Sequence, residues 1–255
     1  MKTALITGAS GGIGLELARC FAAARYDLIL VARSGEKLEA IGRELSHVRV
    51  ATVVADLAST EGAGRVLESV AADSSEIDLL INNAGVGLHG PFARTPVERE
   101  LAMVQLNIGS LLQLTKGLLP GMLARGRGHI VNVASVAAFV PGPNQSVYYA
   151  TKAFVRSFSD SLAAELRGTG VAVTSAYPGP VASGFHAAAG ITRTGRLYDW
   201  FLERPEDVAK AVSRAVERRA PSVVPGLRHR VLLGVMRVVP RNLIARGAKT
   251  VRRGG

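Results

Sequence analysis

The stretch Thr7-Gly8-Ala9-Ser10-Gly11-Gly12-Ile13-Gly14 follows an apolar run over 2–6 and leads directly into a helical pattern over 12–24. Glycine permits a tight turn and lets an anion approach the backbone, because no β-carbon stands in the way. The free N–H groups and the positive dipole end of the helix would face that anion. The sequence therefore predicts a cradle for a dinucleotide pyrophosphate. A glycine turn that only packs the helix against the strand is the alternative.

Apolar runs and amphipathic segments alternate along the rest of the chain. The runs that resemble strands are 2–6, 27–32, 50–54, 78–81, 129–134 and 171–176, and the helical patterns are 12–24, 35–46, 60–72, 97–124 and 148–167. A further helix is expected after Pro205, because proline is tolerated in the first turn. Nearly unbroken apolar strands are typical of parallel sheets that are covered on both faces. The alternation predicts a doubly wound parallel α/β sheet in three α/β/α layers.

Length and composition indicate one globular domain. The chain has 255 residues, of which 48% are hydrophobic and 20% charged. We assign residues 1–226 to a single domain with a lid near 184–202, and residues 227–255 to a basic amphipathic C-terminal extension. The one cysteine, Cys20, has no partner for an intrachain disulfide, and neither a signal peptide nor a membrane span is recognisable. A cytoplasmic protein is expected.

The positive charge is concentrated at the C-terminal end. No acidic residue follows Glu217, so ten of the eleven net positive charges belong to the chain after it. Within Leu227–Pro240 the apolar residues fall largely on one helical face: Leu227, Val231, Leu232, Val235, Val238 and Val239. Such a segment can contact an anionic membrane, here through 227–253, or pack against the body or another subunit. Packing is favoured, because no Trp or Phe accompanies these positions. Nucleic-acid fingerprints and aromatic stacking platforms are missing, which argues against nucleic-acid binding.

The end of the second strand indicates which dinucleotide is bound. An acidic residue at this place contacts the ribose 2′-hydroxyl of NAD, whereas a nearby arginine accommodates the 2′-phosphate of NADP. The sequence has Ala32 where the carboxylate is expected, and Arg33 follows. We therefore predict NADP(H) in preference to NAD(H). The alternative is an arginine that stacks on adenine or faces water.

Two further segments fall at the carboxyl ends of predicted strands, where ligands of open α/β sheets bind. Asp56 closes the third strand and is positioned to accept a hydrogen bond from the adenine amino group. Asn82-Asn83-Ala84-Gly85 follows the fourth. Turn chemistry explains both segments equally well, because Asp and Asn favour turns.

Tyr148 and Lys152 are four residues apart at the start of a helical pattern, so both side chains lie on one face. A free tyrosine has a pKa of about 10, and a nearby ammonium lowers it towards the range useful for proton transfer. Ser135 follows the fifth strand, where its hydroxyl would polarise a substrate carbonyl. Asn107 is a polar residue in an apolar helical run. It needs buried partners, which a water wire to Lys152 would provide.

Together these motifs resemble the short-chain dehydrogenase/reductase family, in its single-domain form on an NAD(P)-binding Rossmann core. The matching pieces, in the family's order over about residues 3–183, are Thr7–Gly14, Asn82–Gly85, Asn107, Ser135, Tyr148 with Lys152, and Pro178-Gly179. The resemblance implies an oxidoreductase that transfers hydride between a nicotinamide and a carbonyl or secondary alcohol. Tyr148 would be its general acid/base, within a tetrad with Asn107, Ser135 and Lys152.

The resemblance also implies the cofactor contacts. They are Gly8, Ser10, Gly12, Ile13, Gly14, Arg33, Asp56, Asn83, Tyr148, Lys152, Pro178, Gly179, Val181 and Ser183. No metal site is predicted, and a homodimer or homotetramer is expected from the family. Three features depart from its pattern: Gly11 stands where many members have serine, Ser183 replaces threonine, and Tyr149 adjoins Tyr148.

The substrate is expected to be lipophilic, because the predicted pocket lining is mostly apolar. It comprises Val136–Val140, His89, Phe92 and the lid. Two other readings stay open. One is a catalytically silent NADP(H)-binding sensor, and the other is a membrane-surface protein that uses its basic tail.

Overall fold

The computed structural model describes residues 1–73, 75–184, 189–190 and 200–236. Its seven-stranded parallel sheet has the order β3-β2-β1-β4-β5-β6-β7. The strands are β1 Lys2–Thr7, β2 Tyr26–Ala32, β3 Val50–Val54, β4 Leu79–Asn82, β5 Gly128–Val133, β6 Val171–Ala176 and β7 Ser222–Val223. The predicted doubly wound parallel sheet is confirmed. The sequence predicted six of these strands, and β7 is additional.

The helices are α1 Gly12–Ala23, α2 Gly35–Glu44, α3 Gly62–Ala72, α4 Val97–Val104, α5 Ser110–Ala124, α6 Ser146–Glu165, α7 Pro205–Glu217 and α8 Leu227–Met236. The segment predicted as one helix over 97–124 is interrupted by a π-helical turn at Gln105–Gly109. Pro205 occupies the first turn of α7, as expected. Short 3₁₀ turns cover Phe92–Arg94 and Val136–Phe139.

Two apolar cores, one on each face of the sheet, produce the three layers. Helices α1, α2 and α7 bury residues such as Leu17, Leu38 and Val212 on one face. Helices α3, α5 and α6 cover the other face, where Val66 and Leu114 are fully buried. Because both faces are covered, the central strands β4 and β5 are buried along their whole length.

The sheet order reverses at β1, which lies between β2 and β4. Helices that follow strands on the two sides of such a point diverge, and this opens a crevice at the carboxyl ends of the strands. The glycine turn after β1 and the Asn82–Gly85 segment after β4 both lie at this crevice. The topology therefore brings the predicted cofactor motifs together.

The C-terminal helix α8 packs on the body through the face that was not expected to do so. His229 and Leu233 are buried, whereas Leu227, Val231 and Val235 are 74%, 59% and 54% exposed. Three residues of the apolar face expected to pack are thus turned away from the body. Most of the predicted lid and all of 237–255 lie outside the described residues. No described helix is both long and apolar enough to cross a membrane.

Candidate active site

The glycine turn leaves the N-terminus of α1 open to an anion. A β-carbon at Gly14 would collide with the Gly8 carbonyl oxygen, so glycine there lets the helix approach the turn closely. At Gly11 a β-carbon would meet nothing within 4 Å, and no side chain caps α1. The first-turn N–H groups of a helix lack intrahelical partners. An open, uncapped helix start of this kind fits a pyrophosphate.

The loop after β6 forms the opposite wall of this cradle. Gly12 has a φ of +55°, and a β-carbon there would lie 3.3 Å from the Ser183 β-carbon. Ser183 therefore faces the glycine turn across the crevice. The loop that ends at Ser183 also contains Pro178, Gly179 and Val181. Ser10 lies in the glycine turn and Ile13 in the first helical turn of α1, and both residues are half-buried.

Thr7 and Asn83 join the turn to the end of β4. The buried Thr7 hydroxyl donates to the Ile81 carbonyl at 3.2 Å and accepts the N–H groups of Asn83 and Ala84 at 3.0 and 2.9 Å. Asn83 Nδ2 donates to the Thr7 carbonyl oxygen at 2.8 Å. Sequence reasoning missed this role of Thr7. The available signal was a hydroxyl at the end of a buried apolar strand.

Arg33 and Asp56 lie at the carboxyl ends of β2 and β3. The Ala9 N–H donates to the Val31 carbonyl at 3.2 Å, which sets the glycine turn beside the end of β2. Arg33 is exposed, and within the described part of the chain its guanidinium makes no hydrogen bond or ion pair. Asp56 Oδ1 accepts the Ala58 N–H at 3.0 Å. Turn chemistry thus accounts for Asp56, and its contact with adenine stays a prediction.

The structure brings Ser135 and Tyr148 together in a buried site. Ser135 Oγ accepts the Ala137 N–H at 3.1 Å and donates to the Pro178 carbonyl at 3.3 Å. Burial raises the pKa of Tyr148 to about 12, although its hydrogen bond with Ser135 acts to lower it. The lowered pKa predicted from the sequence is therefore wrong for the chain alone. At neutral pH the Tyr148 hydroxyl is therefore protonated.

Lys152 lies beside Tyr148 and is itself buried. Its Nζ donates to the Val133 carbonyl at 2.9 Å and lies 6.0 Å from the Tyr148 ring centroid. Burial lowers the pKa of Lys152 to about 8. The low-polarity surroundings thus disfavour the ammonium as well as the phenolate.

Asn107 lies in the π-helical turn between α4 and α5, a type of distortion that recurs at functional sites. Its Oδ1 accepts the Val86 N–H at 3.0 Å, and its Nδ2 donates to the Val86 carbonyl and to Thr151 Oγ1, both at 3.0 Å. These protein groups supply the buried partners that a water wire was expected to provide. A β-carbon at Gly85 would lie 3.2 Å from Asn107 Oδ1 and 3.4 Å from Lys152 Nζ. Both tetrad members therefore adjoin Gly85.

The apolar wall around Tyr148 includes Ala137 of the predicted lining and adds residues that were not predicted. Tyr148 packs with Leu88, Met103 and Ala137, and Tyr149 borders this cluster. Sequence reasoning missed Leu88 and Met103, because their segments gave no motif.

Two aromatic residues expected in the lining lie outside this cluster. Phe92 is 66% exposed in a 3₁₀ turn. Phe139 packs edge-to-face on Tyr177, with ring centroids 4.9 Å apart. His89 is half-buried, and its N–H donates to the Ala189 carbonyl at 3.0 Å.

Comparison with known proteins gives the same picture as the geometry. Residues 2–193 match the family model described as short chain dehydrogenase. The NADP-dependent 3-hydroxy acid dehydrogenase YdfG of Salmonella typhi is 36% identical over 82% of this chain and 86% of its own.

Two solved structures show the same fold at similar identity. A short-chain dehydrogenase from Sphingobium yanoikuyae in complex with NADPH is 32% identical, with a TM-score of 0.83 over 94% of this chain and 97% of that one. The bulky-bulky ketone specific alcohol dehydrogenase from Comamonas testosteroni is 28% identical, with a TM-score of 0.78 over 94% and 96%. The open glycine turn, the buried tyrosine–lysine pair and these similarities lead to one conclusion: the chain belongs to the short-chain dehydrogenase/reductase family and is an oxidoreductase that acts on CH–OH groups.

Proposed function

We propose that this enzyme uses NADPH to reduce a lipophilic ketone or aldehyde, with Tyr148 as the proton donor. The observation that carries the proposal is the buried, protonated Tyr148 hydroxyl, hydrogen-bonded to Ser135 within an apolar cluster. NADPH, when bound, supplies the hydride. Similarity to NADP-dependent relatives supports this choice of cofactor.

The chain's own residues have separable tasks in this reaction. The hydroxyls of Ser135 and Tyr148 together hold the substrate carbonyl oxygen, and Tyr148 transfers its proton to that oxygen as negative charge develops there. The buried Lys152 ammonium then stabilises the tyrosinate that is left behind. Asn107, fixed by Val86 and Thr151, keeps the adjoining backbone in place.

Preference for NADPH over NADH is assigned to Arg33. Its exposed guanidinium is uncommitted among the described residues and follows the strand that ends in Ala32. A charge-assisted hydrogen bond to phosphate contributes ~1.5–3 kcal/mol. Arg33→Ala should therefore weaken NADPH binding by about 10- to 100-fold and leave NADH binding nearly unchanged.

Calorimetric titration of both cofactors measures this preference. Arg43→Ala is the matched control, because Arg43 is an exposed arginine about 12 Å further along α2. Equal affinities of the unsubstituted enzyme for the two cofactors would contradict the assignment.

Two of the three named relatives suggest different substrates, a 3-hydroxy acid and a bulky ketone. The apolar cluster of Leu88, Met103, Ala137 and Tyr149 around Tyr148 favours the bulky ketone. Comparing kcat/KM for an aryl alkyl ketone with that for a 3-oxo acid tests the choice. NADPH binding without turnover of either would instead favour the sensor alternative.

We further propose a homo-oligomer that assembles through the core helices α5 and α6. Leu123 on α5 and Phe154 on α6 are 39% and 37% exposed, so both helices present a large apolar side chain that a second copy of the chain would cover. Light scattering coupled to size-exclusion chromatography gives the mass of the assembly. A mass of one chain would contradict this proposal.

A second function, contact with an anionic membrane, is proposed for α8. Leu227, Val231 and Val235 form an exposed stripe, and Arg228 lies over the Trp200 ring with its guanidinium carbon 4.2 Å from the centroid. Trp200 is 50% exposed, so an interfacial aromatic does accompany the basic segment. Basic residues follow this helix in the sequence and complement an anionic surface.

Flotation with phosphatidylglycerol vesicles tests the membrane proposal. We expect vesicle binding to weaken with salt, because salt screens the charges. Binding should fall at least fivefold in Val231→Asp, because the variant loses apolar burial in the membrane. Leu101→Asp is the control, because Leu101 is similarly exposed, at 62%, on a different helix. Loss of binding in both variants, or binding to neutral vesicles alone, would exclude α8 as the contact.

A further inference from the structure

Glu203 holds the loop after β6 by its backbone. Its N–H donates to the Pro180 carbonyl at 2.8 Å, and its carbonyl accepts the Ala182 N–H at 2.9 Å. These two bonds form a parallel bridge between Val181 and Glu203. The loop is thus tied at its centre to the segment that precedes α7.

The Glu203 side chain adds a third bond to the same loop. Its Oε2 accepts the Gly179 N–H at 2.8 Å, and the side chain is only 11% exposed. A hydrogen bond to a carboxylate with little solvent access is among the stronger ones. Side chain and backbone of one residue therefore fix Gly179, Pro180 and Ala182 together.

His229 of α8 packs beneath this contact. Its side chain is 3% exposed, and its Nδ1 lies 3.3 Å from Glu203 Oε1. A β-carbon at Gly179 would collide with the imidazole, and one at Gly226 would lie 2.5 Å from Glu203 Oε1. Both glycines thus make room for the pair, and Gly226 also has a φ of +72°.

Both polar side chains of this contact are largely removed from solvent. A buried carboxylate or imidazole is unfavourable unless it has a partner. Within the described part of the chain neither ring nitrogen of His229 makes a hydrogen bond, and Nδ1 faces the Glu203 carboxylate, which is the partner that the geometry offers. Phe201 closes the site with its ring centroid 5.7 Å from that of His229.

We propose that Glu203 and His229 are positioning residues that hold the Pro178–Ser183 loop in the shape required by the nicotinamide half of NADPH. This inference rests on the proposed function, since it assumes that this loop meets that cofactor. Helix α8 then belongs to the working active site and is not a separable extension.

The sheet order predicts that a change at Glu203 affects binding at only one end of the cofactor. The loop follows β6, whereas Arg33 follows β2, four strand positions away in the sheet. Neighbouring strands are about 4.8 Å apart, so the two places are separated by roughly 19 Å. A change at Glu203 should therefore affect the nicotinamide end and spare the 2′-phosphate end.

Calorimetry tests this prediction by measuring the binding of NADPH and of adenosine 2′,5′-bisphosphate. Glu203→Ala should weaken NADPH binding by about tenfold or more and change the affinity for the bisphosphate by less than twofold. Glu203→Gln should restore part of the loss, because an amide oxygen still accepts the Gly179 N–H. Glu206→Ala is the matched control, since Glu206 is a neighbouring surface carboxylate on α7, and it should leave both affinities unchanged.

His229→Phe is the second variant, and it also serves if Glu203→Ala fails to fold. It fills the space beneath Gly179 without a ring nitrogen, and NADPH binding alone should again weaken. If the binding of both ligands weakens equally, or if neither affinity changes, the inference is overturned and the pair has a structural role only. If the unsubstituted enzyme binds neither ligand, the proposed function fails instead.

Discussion

Replacing Lys152 with methionine should stabilise the ligand-free enzyme at neutral pH while abolishing its activity. Lys152 is 5% exposed, and burial lowers the pKa of its ammonium from 10.5 to about 8. The difference corresponds to ~3 kcal/mol by which burial disfavours the charged form. Methionine has a similar length and carries no charge, so it removes this penalty. Loss of the 2.9 Å hydrogen bond to the Val133 carbonyl costs ~1 kcal/mol.

The net stabilisation at pH 7 is then ~2 kcal/mol, and it should disappear in alkali. Between pH 8 and 10.5 the unfolded chain binds more protons at Lys152 than the folded chain does, so the unfolding free energy of the unsubstituted enzyme rises with pH through this window. The variant lacks this rise. Above pH 10.5 Lys152 is largely neutral in both the folded and the unfolded chain, so its burial no longer carries a charge penalty. The variant then differs mainly by lacking the hydrogen bond to the Val133 carbonyl, and it should be the less stable protein.

Urea denaturation of both proteins at pH 7 and pH 10.5 measures the difference directly. A change of ~2 kcal/mol corresponds to roughly 4–8 °C in Tm for a domain of this size. Lys210→Met is the control, because Lys210 is an exposed lysine on α7 and should show no such pH-dependent difference. A variant that is destabilised at pH 7, or a difference that is the same at both pH values, would refute the reasoning.

Two other predictions address single side chains. Tyr148→Phe should lower kcat by at least about a thousandfold with NADPH affinity largely kept, because Tyr148 hydrogen-bonds Ser135 and supplies the proton. Tyr149→Phe should retain substantial activity, and the reverse ranking in steady-state assays would contradict this assignment. Burial lowers the pKa of His129 to about 4, so the folded protein should lose up to ~3 kcal/mol as the pH falls from 6.5 towards 4, because the unfolded chain then binds the additional proton. Urea denaturation at pH 5 and pH 7 should show a smaller acid loss for His129→Gln, and an unchanged loss would place the effect elsewhere.

Features of the sequence with a clear period or a fixed spacing were predictable. The apolar runs gave six strands, and the glycine spacing gave the open start of α1, because both express local requirements of the backbone. Strand β7 was missed, because its two residues are too short to show a period. Phe92 and Phe139, which were expected in the pocket lining, lie outside the cluster around Tyr148, since a position in the sequence does not determine where a side chain points.

The sequence could not predict how far individual side chains are excluded from solvent. The spacing of Tyr148 and Lys152 predicted a shared face, but the directions of their pKa values depend on solvent exclusion by residues such as Leu88 and Met103. The same holds for α8, which is apolar on more than one side. Its sequence pattern identified Leu227 and Val231 as one face but could not show that the opposite side packs on the body.

Burial of Tyr148 and Lys152 determines how the rates of carbonyl reduction and alcohol oxidation should depend on pH. Burial raises the pKa of Tyr148 to about 12 and lowers that of Lys152 to about 8, so at pH 7 the ligand-free site holds a neutral Tyr148 phenol beside a Lys152 that is still mostly an ammonium. Reduction needs tyrosine as a proton donor, and that form predominates at pH 7, because burial raises the pKa of Tyr148 far above neutrality. Oxidation needs the tyrosinate as the acceptor, and the unaided chain supplies it only in alkali. We therefore expect carbonyl reduction to be fastest near neutral pH and alcohol oxidation to rise with pH until the Lys152 ammonium is lost.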